Sequence, residues 1–176
     1  DDPAEVPTSC AKCHSSAGYL DFLGSDGSEA GKVDAAVPAA DAQGVQCIAC
    51  HAPEANNMTG VAFPGKDEEG NAIVVEGLGD ATRCLVCHQG RASTSTVNAS
   101  IARFGEDVDP DAVPAPVTND QGDEVKLGFT NIHYFAAGST LYGSEAQRGY
   151  EDDGKTYDGK FRHGDGIETC TGCHNS

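Results

Sequence analysis

The chain contains no tryptophan and only one methionine, Met58, and aromatic residues make up 6% of its 176 positions. Hydrophobic residues reach 38%, below the roughly 45–50% of ordinary globular domains. Side chains so poor in large apolar groups bury little core on their own. Either part of the chain stays unfolded or something other than protein fills its interior. No apolar run approaches the roughly 20 residues needed to span a bilayer. Basic residues are scarce: 11 Lys and Arg stand against 28 Asp and Glu, a formal net charge of −17. That balance excludes the basic surface that nucleic acid demands and disfavours docking on anionic lipid. It suits solubility and cationic partners such as oxidised metal ions or basic docking proteins. The chain opens at DDPAEVPTSC without a signal peptide, as expected of a mature terminus after leader removal.

What is present is cysteine in one arrangement only. CAKCH (Cys10 to His14), CIACH (Cys47 to His51), CLVCH (Cys84 to His88) and CTGCH (Cys170 to His174) use all eight cysteines and four of the six histidines. In C-x-x-C-H the two thiols add across the vinyl groups of one haem, and the following histidine is held against the iron as proximal ligand. A zinc ribbon pairs two C-x-x-C units around one ion and needs no histidine behind each. A thioredoxin-like site uses one C-x-x-C in a βαβ setting, which is lacking here. A disulfide framework fits the even count but not four identical pentads with no cysteine outside them. The pentads therefore predict four haem c groups. Cys10, Cys13, Cys47, Cys50, Cys84, Cys87, Cys170 and Cys173 would form the thioethers, and His14, His51, His88 and His174 would be the proximal iron ligands. Such groups supply the apolar surface the side chains lack, make the cofactor part of folding, and must lie close together in so short a chain.

A haem that only moves electrons has both axial positions filled, whereas one that binds a small molecule keeps one open. Outside the pentads only His133 (FTNIHYFAAG) and His163 (GKFRHGDG) remain, with Met58 (PEANNMTG) as a third candidate. Four irons meet at most three such distal ligands. At least one haem is thus expected to be five-coordinate, or completed by water, lysine, tyrosine or an amine. A partner copy can move a histidine but cannot raise the number per chain.

The step from His14 to Cys47 equals that from His51 to Cys84, and the long step from His88 to Cys170 holds both spare histidines. Residues 128–165 are expected to fold back over haems bound earlier in the chain, the second and third. Gly-containing turns predict β-hairpins over 67–75, 119–127 and 151–159. Their acidic residues offer a possible Ca²⁺ site, although none has EF-hand spacing. The run ASTSTVNASIARFG predicts a helix with a Ser/Thr cap, an apolar face of Val97, Ile101 and Phe104, and a stop at Gly105. The acidic, Pro-rich stretch 106–122 reads as an exposed loop. Arg91 stands close enough to the third pentad to pair with a haem propionate or to serve as plain surface. Tyr134, Phe135, Tyr150, Tyr157 and Phe161, near the spare histidines, are expected to pack on ring faces. The expected fold is a single domain over 1–176, mostly irregular coil with short helices and a few β-hairpins, wrapped around a closely packed haem chain.

The four CxxCH motifs, the run CLVCHQGR…STV, and GFTNIHYFAAGSTLYG followed by GYEDDGKTYDGKFRHG resemble the extracellular or periplasmic multihaem c-type cytochromes of metal-respiring prokaryotes. The resemblance covers mainly residues 84–174. It implies electron transfer outside the cytoplasm, with His133 or His163 as distal ligands and redox proteins or extracellular acceptors as partners. Some tetrahaem members polymerise into filaments in which haems run continuously between subunits and a ligand can come from the next one. Their irons are typically bis-histidine, a pattern that six histidines cannot complete. Two alternatives to a soluble carrier follow: a subunit of such a conductive filament, or a reductase of a small oxyanion at an open haem. No concentrated catalytic motif supports the reductase.

Overall fold

The computed structural model describes residues 4–67, 69–105, 109, 116–119, 121–133, 135–147, 149–161, 164, 167 and 169–174. Its elements are short, as expected of a chain with little apolar periodicity. In order they are β1 (Glu5–Val6), α1 (Thr8–His14), α2 (Ser16–Phe22), β2 (Val37–Pro38), α3 (Cys47–His51), α4 (Pro53–Asn56), β3 (Gly60–Lys66) and β4 (Ala72–Glu76). There follow α5 (Thr82–His88), entered through a 3₁₀ turn at Gly79–Ala81, then α6 (Thr94–Ala102), β5 (Val117–Thr118), β6 (Glu124–Val125), α7 (Ala137–Ala146) and α8 (Thr171–His174). The strands form three two-stranded sheets, β1 with β2, β3 with β4 and β5 with β6.

Length predicts one domain over 1–176; the chain divides into two compact units, both interleaved along the sequence. The first is Asp1–Val61, Glu76–Cys87 and His163–Ser176; the second is Ala62–Val75 and His88–Arg162. The division falls inside α5, between Cys87 and His88.

In the first unit the core is built largely of small side chains, Ala11, Ala49, Ala52, Ala55 and Ala81 among them, with Tyr19, Leu85 and Val86 as its larger members. Small residues let short helices approach closely. Gly18 of α2 lies so near α1 that a Cβ there would sit 2.5 Å from the Ala11 carbonyl carbon. Ser15 joins the two helices: its hydroxyl donates to the Ala11 carbonyl (3.1 Å) and accepts the Gly18 N–H (2.9 Å), capping α2. The antiparallel pairing of β1 with β2 sets Val6 opposite Val37 and ties the two ends of this region together.

In the second unit Phe63 packs edge-on to Tyr142, their ring centroids 6.2 Å apart. Helix α6 forms where the Ser/Thr run predicts it. Ser93 accepts from the Thr96 N–H (3.2 Å) and its own N–H bonds to the Thr96 hydroxyl (2.8 Å), a reciprocal cap. Phe104 is buried just past its end, while Val97 and Ile101 are half-buried. The hairpin expected over 119–127 is present as β5–β6, with Val117 paired to Val125 and Asn119 holding the turn by accepting the Gln121 and Asp123 N–H groups. Residues 67–75 supply only a turn and most of β4; the partner strand is the preceding β3, because Asp67 closes the turn by accepting the Asn71 N–H (2.7 Å). The third expected hairpin, at 151–159, is replaced by an irregular turn. There the Tyr157 hydroxyl donates to the Asp152 carboxylate and accepts the Asp152 N–H, both at 2.9 Å, so side-chain bonds take the place of a strand ladder. The loop expected over 106–122 lies mostly outside the described residues, and Tyr134 lies wholly outside them.

Candidate cofactor site

Each pentad occupies a short helical turn. CAKCH closes α1, CIACH is α3, CLVCH closes α5, and CTGCH carries α8, where the His174 N–H bonds the Cys170 carbonyl at 2.9 Å. Helical geometry puts residues three and four apart on one face. The first cysteine, the second cysteine and the histidine of each pentad therefore share a face. The residues after the first cysteine in the first and third pentads, Ala11 and Leu85, are fully buried; in the second pentad that residue, Ile48, is 48% exposed and the next one, Ala49, is buried instead. His14, His51, His88 and His174 are all exposed, and their cysteines are exposed or half-buried free thiols. The donor set fits a flat group attached through two sulfurs on the outer face of each turn.

All eight cysteines belong to the first unit. The thiol of Cys13 points at the Val86 carbonyl (3.8 Å), and that of Cys87 at the Lys12 carbonyl (3.7 Å). The Cys13 thiol beside it, reinforced by burial, pushes Cys87 well above the usual thiol range. Burial first, then the neighbouring Cys170 and Cys50, push Cys84 up. Sulfurs from all four pentads thus gather in one unit.

Two residues that sequence reasoning passed over hold this arrangement. Arg83, the residue before Cys84, donates from Nη1 to the Cys50 carbonyl (2.8 Å) and to the Asn56 amide oxygen (2.7 Å), and pairs with the Asp80 carboxylate. It fastens the start of α5 to the second pentad. Tyr19, 1% exposed, donates to the Arg83 carbonyl at 3.1 Å. Burial, with Cys87, Cys50 and Cys84 nearby, raises its hydroxyl far above the ordinary phenol range. Met58, a candidate distal ligand, lies half-buried with its sulfur 4.0 Å from the Tyr19 hydroxyl, so its place in the polar PEANNMTG run has a packing partner.

The second unit holds His88 and His133. The stretch 131–139 lies along 89–91: the Arg91 N–H donates to the Ile132 carbonyl (3.1 Å), and the Ser139 hydroxyl to the Gln89 carbonyl (2.8 Å). Gly90, at φ +81°, leaves room for this approach, since a Cβ there would meet Ile132 and Ser139 at 2.9 Å. The Phe135 carbonyl sits 2.7 Å from His88 Nδ1. A carbonyl only accepts, so Nδ1 carries the proton and Nε2 presents its lone pair, the arrangement a metal-ligating histidine adopts. Left-handed backbone at His133 (φ +79°) and Phe135 (φ +54°) shapes this segment. His133 is half-buried, two residues from that carbonyl, with its N–H on the Asn131 side chain (2.8 Å). Phe135 is 85% exposed and Phe161 56% exposed. Arg91 is exposed. His163 lies outside the described residues. Among the described residues no three His, Cys, Asp or Glu side chains gather to hold a metal ion between them.

No protein family, curated protein or solved structure matches this chain.

Proposed function

We propose that this chain is a tetrahaem c-type cytochrome that carries electrons outside the cytoplasm, between redox proteins or to an extracellular acceptor, and is not itself an enzyme. Haem iron supplies one-electron exchange between its ferrous and ferric states. The chain's own part is to bind, space and tune. The eight cysteines of the pentads anchor the four groups, and His14, His51, His88 and His174 are the proximal ligands. His133, His163 and Met58 are the distal candidates. The observation that supports this reading is the His88 contact: a ring whose Nδ1–H binds the Phe135 carbonyl has its other nitrogen left to serve as an iron ligand. That hydrogen bond would fix the ring's orientation toward an iron held there.

Among the described residues no helix is long and apolar enough to cross a membrane. The acidic balance of the chain keeps nucleic acid off the list of partners and favours a cationic acceptor or a basic docking surface. A homo-oligomer or filament remains the natural assembly to look for, because a partner copy would cover groups that so small a core leaves at the surface.

Low-temperature EPR of the oxidised protein, quantified per haem, tests the carrier role. Entirely low-spin haems, with Met58, a lysine, a tyrosine or an amine completing the shell that the histidines leave short, would support pure conduction. A substantial high-spin fraction would mean open irons and would favour reduction of a small oxyanion over simple conduction.

A further inference from the structure

Helices α1 and α5 are two copies of one seven-residue pattern, TSCAKCH and TRCLVCH, identical at the threonine, both cysteines and the histidine. Their C-terminal ends meet reciprocally. The second cysteine of each points at the backbone carbonyl of the residue before the second cysteine of the other: Cys13 at Val86 (3.8 Å), Cys87 at Lys12 (3.7 Å). A matched pair of contacts between equivalent positions is the signature of a local two-fold relation. The next helix reinforces it, since α2 reaches α5 through the Tyr19 hydroxyl on the Arg83 carbonyl (3.1 Å). The second pentad touches α5 less directly, through the extended Arg83 side chain reaching the Cys50 carbonyl. Two motifs that are not consecutive in the chain therefore meet directly.

We infer that the first and third pentads form a directly adjacent haem pair, Cys13 and Cys87 carrying neighbouring thioether edges, so that electrons pass directly between the first and third sites and not only in sequence order. The inference rests on the cytochrome reading above. In the haem-bearing chain each of these thiols would add across a vinyl group, sulfur bonding its inner carbon and the hydrogen passing to the outer carbon, which becomes the methyl, as the double bond is lost. Each S···O approach then becomes a packing contact that places the edge of one group against the peptide that holds the other. No co-reactant is needed: one iron is oxidised from ferrous to ferric as its neighbour is reduced.

The test is proton NMR of the fully reduced protein, with the thioether methyls assigned to their cysteines. Cross-relaxation between the methyls attached through Cys13 and Cys87 is expected. As a second readout, His88→Met raises the potential of the third site, and the first site should shift with it. A protein with four haems whose Cys13 methyl sees only groups attached through Cys47 or Cys50 overturns the pairing and leaves the cytochrome reading intact. A chain that matures without haem overturns both.

Discussion

Gly18→Ala is the substitution whose sign separates local propensity from packing. Gly18 lies inside α2, and propensity alone makes alanine there more stable by about 1 kcal/mol. The added Cβ, however, would stand 2.5 Å from the Ala11 carbonyl carbon and 2.6 Å from both its oxygen and its Cβ, where ordinary carbon contacts lie near 3.5–4.0 Å. Two of those three atoms are backbone, so no rotamer relieves the overlap and α1 must move from α2 by about 1 Å to restore such contacts. Overpacking of this kind costs about 1–3 kcal/mol. The same movement strains both bonds of the Ser15 hydroxyl, to Ala11 and Gly18, worth about 1 kcal/mol each. Packing wins by about 2 kcal/mol, which lowers the thermal midpoint by about 4–8 °C for a chain of this length. Thermal melts of the haem-loaded protein, followed by far-ultraviolet circular dichroism, measure it. Gly149→Ala is the control, since its Cβ meets nothing within 4 Å and should change stability by less than about 0.5 kcal/mol. A Gly18→Ala protein as stable as the parent, or more so, would show that the α1–α2 contact is not what holds the first pentad in place.

Three further outcomes follow from the same geometry. Ser93→Ala removes the reciprocal cap of α6 and should cost about 1 kcal/mol, read as a shift in denaturation midpoint; Ser93→Thr, which keeps the hydroxyl, should recover most of it. Tyr19→Phe deletes the hydroxyl that donates to the Arg83 carbonyl, a loss of about 1 kcal/mol; equal stability of the two proteins would contradict that bond. Arg83→Lys keeps the charge but cannot reach the Cys50 carbonyl, Asn56 and Asp80 together, so about 2 kcal/mol should be lost. If lysine serves as well as arginine in chemical denaturation, the planar fork is not what ties the second pentad to α5.

The proposed chemistry rests on the spacing of the cysteines, because two thiols and a histidine within five residues have few other uses. The helical turn that each pentad adopts, in which positions one, four and five share a face, was not read from that spacing. The cap at Ser93 was legible as a hydroxyl three residues ahead of its partner. The hairpins were half legible: turn chemistry marked 67–71 and 119–123, but composition could not say that β4 pairs backwards with β3. Nor could it say that the Tyr157 and Asp152 side chains replace a strand ladder at 151–159. The pairing of β1 with β2 and the meeting of Cys13 with Cys87 were beyond reach, because contacts between distant stretches leave no periodic trace. The shared heptads TSCAKCH and TRCLVCH were the one available signal for the latter. The role of the Phe135 carbonyl was likewise invisible, since a backbone acceptor belongs to a conformation rather than to a residue type.

The most direct test of the account is the number of haems covalently held per chain. The protein would be exported from a host that matures c-type cytochromes, then measured by intact mass and by the pyridine haemochrome spectrum. Four haems on one chain, surviving denaturation and lost one at a time as each pentad's cysteines are replaced by serine, is the result the account predicts. A chain that leaves the same host with eight free thiols, or with its cysteines joined as disulfides, would contradict it.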